Sequence, residues 1–175
     1  MKENLLKAYA KDINTRINRQ KTTNPTGWQV HVHEVSPGLV YEDTRVAVTA
    51  FPVSHGSWWS CYGYRFETPD LSVVISGDTA ECESLIQNAR GCDVLIHEAY
   101  CMKNIERLSE QARLYVTRLH TSSTDLGRIA NRVKPKLLIL YHQLHFFGST
   151  EENLLAEVRS VYSGKVVYGK DLDIF

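Results

Sequence analysis

Apolar residues change their spacing at two points along this chain. Over residues 1–20 they recur every three or four positions, which predicts a helix with one apolar face. The turn-forming run Asn-Pro-Thr-Gly at residues 24–27 is expected to end this helix. The apolar positions of the helix are Leu5, Leu6, Tyr9, Ile13 and Ile17.

The second stretch, residues 28–76, alternates apolar and polar side chains and carries short turn signals between the runs. This pattern predicts antiparallel strands in a meander. The predicted strands lie in the segments WQVHVHEV, LVYED, TRVAVTAFPV, YGYRFE and LSVVISG.

From residue 79 to residue 175 the pattern alternates between helical spacing and short apolar runs typical of buried parallel strands. We therefore predict an α/β (α+β) fold, a mixed sheet with helices on one face, within a single domain over residues 1–175. The predicted helices lie in ECESLIQNARG, SSTDLGRIANRV and TEENLLAEVRSVYSG, and the predicted strands in DVLIHEA, PKLLILYH and KVVYG.

Composition narrows the functional classes. The 175 residues include 20 basic and 20 acidic side chains, a formal net charge of zero, which argues against nucleic acid as a partner. No apolar run approaches the length of a membrane span, so we predict no membrane partner and a cytoplasmic location. The four cysteines form no CxxC pair and are expected to be reduced, structural thiols.

Three candidate site residues stand at the ends of predicted strands. They are His55 in FPVSHG, Asp78 in VVISGDT and His142 in LLILYHQL. Side chains at the carboxyl ends of strands converge on ligands in α/β sheets. Imidazole nitrogen and carboxylate oxygen are also ligands that hold Zn²⁺ while leaving a position open for water.

The order and spacing of these motifs resemble a known family. The run FPVSHG, CYGYRFE, VVISGDT, DVLIHEA, LHTSS and LLILYHQ resembles the second half of ribonuclease Z-like hydrolases of the metallo-β-lactamase superfamily. The resemblance implies the carboxyl-terminal part of that family's αββα sandwich.

The resemblance also implies roles for individual residues. His55 would bind one metal, Asp78 would bridge two, and His142 would bind the second. His120 would act in proton transfer, with Glu98 fixing its tautomer from behind. Zinc, two ions per site, is the implied cofactor, although manganese or iron also suits such ligands, and a metal-bound hydroxide is the implied nucleophile.

One departure from the family pattern limits this expectation. The family's HxHxDH string, which supplies four ligands, does not occur in this sequence. His31 and His33 form an HxH, but the sequence around them favours one face of an ordinary strand. With too few donors for a tight zinc site, the chain alone is expected to be a poor enzyme, the ligand-deficient portion of a hydrolase. The alternative is a catalytically inactive binding or assembly module.

The predicted substrate is a small molecule. Ribonuclease Z carries an arm that grips transfer RNA between the GYR and SGDT strands, whereas only a turn at residues 67–70 joins them here. We therefore expect a phosphodiester, ester, lactone or sulfate ester and no nucleic acid. Five further side chains are candidate pocket residues, although packing is the alternative for each: Trp58, Trp59, His145, Phe146 and Phe147.

The assembly is also predicted. In the full fold two sheets pack face to face, so this half is expected to leave one apolar sheet face uncovered. An apolar patch of that kind usually finds a partner, and we predict a homodimer or a larger assembly that covers it.

Overall fold

The structure is a computed structural model that describes residues 2–19 and 24–175. The chain divides into two compact units, residues 1–34 and residues 35–175. The single domain predicted for residues 1–175 stays a prediction. None of the helices within the described residues is long and apolar enough to cross a membrane.

The first unit is one helix followed by a turn. Helix α1 spans Lys2–Arg19, which confirms the predicted helix over the described residues. The turn closes through a hydrogen bond of 3.2 Å from the Gly27 amide to the Asn24 carbonyl. The Trp28 indole then donates to the Pro25 carbonyl at 2.9 Å, which fixes the chain where it leaves the turn.

The first predicted strand is absent from the structure. Residues 29–36 are irregular, and Val30 and Val32 are 53% and 70% exposed. Alternating side chains form a strand only when a neighbouring strand pairs with them and one face is buried, and neither condition is met here. His31 and His33 therefore do not lie on a strand face, and both are exposed.

The second unit contains a seven-stranded sheet whose spatial order is its sequence order, β1 to β7. Strands β1 to β4 are antiparallel, and β4 to β7 are parallel. The predicted mixed sheet is therefore confirmed. The strands are β1 (Gly38–Glu42), β2 (Ala47–Pro52), β3 (Tyr62–Glu67), β4 (Ser72–Ile75), β5 (Val94–Tyr100), β6 (Leu137–Leu144) and β7 (Val166–Tyr168).

Helices connect the parallel strands. Helix α5 begins with the capping box that its sequence predicts, in which the Thr150 and Asn153 side chains each accept from the other residue's backbone amide. Helix α3, which precedes His120, was not predicted. The helices are α2 (Glu83–Ala89), α3 (Glu110–Leu119), α4 (Ser123–Val133) and α5 (Glu151–Arg159), with a 3₁₀ turn at Ile105–Arg107.

The core lies between one face of the sheet and helices α2, α4 and α5. Leu95 and Leu138 of the sheet are fully buried in one cluster with Ile86 of α2 and Ile129 of α4. Burying an aliphatic side chain of this size contributes roughly 1.5–3 kcal/mol. The other face of the sheet is less well covered, since Ile96 there is only half-buried. An assembly that covers this face stays a prediction.

Candidate metal site

Side chains from five segments converge at the carboxyl ends of the parallel strands. His55 follows β2, Asp78 follows β4, Glu98 lies on β5, His120 caps the carboxyl end of α3, and His142 lies on β6. Every site residue predicted from the sequence is therefore in this cluster.

His142 enters the cluster through a bulge. The register of β5 against β6 passes from Glu98–Tyr141 to Ala99–Gln143 and omits His142. Its φ of 43° lies in the left-handed region, which costs a residue other than glycine roughly 1–2 kcal/mol. Bulges of this kind re-aim a side chain next to active sites. The strained backbone therefore indicates that His142 has a role other than strand pairing.

The loops that carry His55 and Asp78 are joined to each other. The Ser54 amide donates to the Thr79 hydroxyl at 3.1 Å, and the Ala80 amide donates to the Ser54 carbonyl at 2.8 Å. Because each bond joins an immediate neighbour of one candidate ligand to the other loop, the backbone fixes the separation of the two ligands.

The histidines lie around Asp78. The ring of His120 stacks on that of His142 with centroids 5.6 Å apart, and its other neighbour is the His55 ring at 5.4 Å. The His142 Nε2 atom lies 3.6 Å from an Asp78 carboxylate oxygen. His55, Asp78 and His120 each offer a donor atom within 4.8 Å of the others, and so do Glu98, His120 and His142.

These donors fit the metal that the fold family implies. Two ligand atoms of a tetrahedral zinc ion lie about 3.3 Å from each other, given metal–ligand bond lengths near 2.0–2.1 Å. The separation between His142 and Asp78 is close to that value and too long for a hydrogen bond. Asp78 is close to a histidine on each side, so its carboxylate is placed to be shared. His120 lies in both donor groups, a feature that the sequence did not indicate.

A buried carboxylate contacts His120 and shifts its pKa. The Nδ1 atom of His120 lies 3.2 Å from Oε1 of Glu98, whose side chain is fully buried. The hydrogen bond to Glu98 raises the pKa of His120 above its usual value, partly offset by burial of the ring. Glu98 therefore favours the proton-carrying form of His120 and holds its Nδ1.

The imidazole of His55 is held by a different group. Its Nδ1 lies 2.9 Å from the Leu119 carbonyl oxygen at the end of α3. A neutral imidazole that donates through Nδ1 leaves Nε2 as the free lone pair, which is the arrangement that metal-binding histidines use.

Two supporting residues, Thr79 and Thr121, were not predicted from the sequence. The backbone amides of Thr79 and Thr121 both donate to the same Glu98 oxygen at 3.1 Å. Thr121 also donates its hydroxyl proton to the Thr79 carbonyl at 2.6 Å. Each threonine directly follows a predicted site residue, Asp78 or His120, and that adjacency was the available signal.

The five candidate pocket residues lie in different environments. Trp58 lines a cavity of about 690 Å³ beside the cluster, whereas Trp59 is 96% exposed and does not line it. His145 hydrogen-bonds the Tyr168 hydroxyl at 3.1 Å, and the Phe147 ring lies under the Arg107 guanidinium. Phe146 packs near the Tyr100 ring. Of the five, Trp58 is the one that lines this cavity.

Comparison with known proteins decides the family. The model of the beta-lactamase superfamily domain matches residues 6–143. The chain belongs to the metallo-β-lactamase superfamily. It lies in the ribonuclease Z-like branch: it is 31% identical over 173 residues to a putative ribonuclease Z of Mycobacterium tuberculosis strain CDC 1551.

That alignment covers 97% of this chain and 76% of the relative. A ribonuclease Z of strain H37Rv is also 31% identical, and there the chain spans 62% of the relative's length. Among solved structures, the metallo-β-lactamase fold protein YhfI of Bacillus subtilis is similar, with a TM-score of 0.61 and 25% identity over 78% of this chain and 52% of YhfI.

These relatives overturn one prediction. A small-molecule substrate with no nucleic acid was expected, yet the relatives of this metallo-β-lactamase superfamily member are named ribonuclease Z. The prediction relied on the turn between β3 and β4 and on the neutral net charge. The turn is present, closed by a hydrogen bond of 2.9 Å from Thr68 to Leu71. However, the length of this turn does not describe the donor cluster, and net charge does not describe a local surface.

Proposed function

We propose that this chain carries part of the active site of a metal-dependent hydrolase that cleaves phosphodiester bonds in RNA. The observation that carries the proposal is the convergence of His55, His120 and His142 around Asp78. Ribonuclease Z relatives at 31% identity support RNA as the substrate class.

His55, Asp78 and His142 are the proposed metal ligands. Zinc suits their nitrogen and oxygen donors best, and manganese or iron is the alternative. A bound metal would supply Lewis-acid stabilisation of the charge that develops on the phosphoryl oxygens. Since the described residues of this cluster offer few donors per ion, we expect affinity well below that of a closed zinc site.

His120 is the proposed proton donor. Glu98 holds its Nδ1, so the proton that is available for transfer is the one on Nε2. As a hydroxide ion forms a new bond to phosphorus and the P–O bond to the leaving group breaks, that proton passes to the leaving oxygen, and the imidazole becomes neutral. A positioned general acid contributes roughly 10²–10⁴-fold to such a step.

The test is cleavage of end-labelled single-stranded RNA by the purified chain at saturating zinc, beside a DNA strand of the same sequence. We expect RNA cleavage that a chelator abolishes. His120→Ala should lower the rate by roughly 10²–10⁴-fold. The matched control is His145→Ala, because His145 makes its hydrogen bonds to Tyr168 and Ser149 and lies outside both donor groups.

Intact RNA at saturating zinc would contradict this activity for the chain. Equal loss of rate in His120→Ala and His145→Ala would contradict the role given to His120, since it would indicate a general effect on folding. Zinc content is measured on the same samples by elemental analysis, so that absence of metal is distinguished from absence of chemistry.

A further inference from the structure

A groove lies directly beside the donor cluster and has no part in the proposed chemistry. One wall is the segment after β2 that carries His55, and the other is α3, which ends at His120. The Gly56 amide donates to the Arg118 carbonyl at 3.2 Å and joins the two walls. The groove is therefore lined by chain neighbours of both histidines, Ser54 and Gly56 on one wall and Leu119 on the other.

The joint between the walls is tight. Gly56 has a φ of 60°, and a Cβ atom there would lie 2.7 Å from a methyl carbon of Leu119. Only glycine allows this backbone and this approach together. Gly56 therefore lets the two walls approach closely at this point.

The lining of the groove combines aromatic rings with positive charge. Trp58 on one wall is 68% exposed, and Tyr115 on the other is 67% exposed. Arg118 contributes the charge, and no acidic side chain is among the described residues that line the groove. The volume of about 690 Å³ is within the roughly 300–1,000 Å³ of small-ligand sites.

We infer that this groove holds an unpaired nucleotide of the RNA strand flanking the phosphate that is cleaved, with its base stacked on Trp58 or Tyr115 and its phosphate contacted by Arg118. Exposed aromatic rings beside a cation are how proteins bind single strands without reading sequence. The guanidinium adds a planar, permanent charge that suits phosphate. The inference rests on the proposed function in taking RNA as the strand.

It also accounts for how RNA would be held without an arm between β3 and β4. That turn spans residues 68–71 and is too short to form an arm, so we look for contacts with the RNA at other surfaces. The groove supplies them within reach of the donor cluster.

The experiment measures binding of a labelled, short single-stranded RNA by fluorescence anisotropy, with chelator present so that the strand stays intact. We expect at least one of Trp58→Ala and Tyr115→Ala to weaken binding between about five- and a hundredfold, the range that follows from loss of one stacked base. Trp58→Phe should retain most of the affinity. Trp59→Ala is the matched control, because Trp59 adjoins Trp58 but is outside the groove.

Arg118→Ala tests the phosphate contact. It should lower the slope of log K against log salt by about 0.7, the value for one phosphate on a single strand. Arg113→Ala, on the same helix but outside the groove lining, should leave binding nearly unchanged.

The outcomes separate this inference from the proposed function. Unchanged RNA binding in Trp58→Ala and Tyr115→Ala would overturn the inference even if the chain cleaves RNA. Selective loss of binding in those variants would support it even if no cleavage is found. Binding of an apolar dye in the groove with no competition from RNA would also overturn it, since it would indicate a different occupant.

Discussion

The Nδ1 atom of His120 lies 3.2 Å from Oε1 of Glu98, and the backbone amides of Thr79 and Thr121 donate to the same oxygen. One buried carboxylate oxygen therefore holds three groups from two loops. One of these loops carries Asp78, a proposed metal ligand, and the other carries His120, the proposed proton donor. Glu98 therefore joins the loop of the proposed metal ligand to the loop of the proposed proton donor.

Removal of this carboxylate should destabilise the fold. Glu98→Ala leaves two buried amides without an acceptor, at about 1–3 kcal/mol each. Glu98→Gln keeps a carbonyl oxygen that can accept from the two amides. Its NH₂ group takes the place of Oε2, which has no hydrogen-bond partner among the described residues. Urea denaturation should therefore show a much larger loss of unfolding free energy for the alanine variant.

The control for Glu98→Ala is Glu106→Ala, at an exposed position of the 3₁₀ turn, which should change stability by no more than about 0.5 kcal/mol. Equal stability of Glu98→Ala and Glu98→Gln would mean that the two amides find other partners, and the role given to Glu98 would be wrong.

The pKa of His120 should depend on Glu98. The hydrogen bond to Glu98 raises that pKa in the folded chain, so Glu98→Gln should lower it. The raised value stabilises the fold fully below the pKa of the unfolded chain, near 6.5, and this contribution is lost as pH rises through the folded value. NMR titration of the imidazole protons in the chelator-treated chain measures the shift.

A His120 curve that does not move in Glu98→Gln would rule out the proposed coupling.

The sequence predicted most of the second unit because local signals and burial agreed there. Helix α4 has its serine cap at Ser122 and buries Leu126 and Ile129 on one face, so spacing alone defined it. Helix α3 was missed because Leu119 is the one residue of this helix that is buried, which leaves little apolar periodicity to detect. The strand predicted around His31 is absent although its residues alternate clearly, because no neighbouring strand pairs with them.

The site was predictable as a set of residues and not as a geometry. His55, Asp78 and His142 stand at or near the ends of strands that the sequence predicts. The left-handed backbone of His142 and the bond from His55 to the Leu119 carbonyl depend on the register of β5 against β6 and on the end of an unpredicted helix. The sequence indicated Trp58 as a candidate pocket residue. It did not indicate Tyr115, because Tyr115 lies on α3, a helix that was not predicted.

A second carboxylate makes stability depend on pH far from the site. Asp93 accepts a hydrogen bond from Lys136 at 2.6 Å and from the Ser72 amide at 2.7 Å. The ion pair with Lys136 and the bonds from Ser72 hold the pKa of Asp93 well below its usual range. A lowered pKa stabilises the fold above the unfolded value, near 3.9, and this contribution is lost as pH falls through the folded value.

Asp93→Asn should therefore lower the thermal midpoint at neutral pH and have a shrinking effect as the pH is lowered through the acid range. Asp70→Asn is the comparison, since Asp70 is an exposed aspartate in the turn between β3 and β4. A constant difference between wild type and Asp93→Asn at every pH would show that the charge of Asp93 is not what stabilises the junction of β4 and β5.

The backbone before Asp78 offers a test of whether loop geometry matters to metal binding. Gly77 has a φ of 65°, and a Cβ there would lie 2.8 Å from the Tyr62 carbonyl oxygen. Gly91 has nearly the same φ, 68°, but open space around its Cβ position. Alanine at either position incurs about 1–2 kcal/mol for the left-handed backbone, and only at Gly77 must the loop also move away from strand β3.

Gly77→Ala should therefore lose more unfolding free energy than Gly91→Ala, and the difference isolates the contact with Tyr62. Because the loop that moves carries Asp78, zinc affinity measured by competition with a chromogenic chelator should fall in Gly77→Ala and stay unchanged in Gly91→Ala. If both variants bind zinc as wild type does while Gly77→Ala is the less stable, then the loop adapts without moving the carboxylate, and Asp78 is not positioned by the backbone conformation of Gly77.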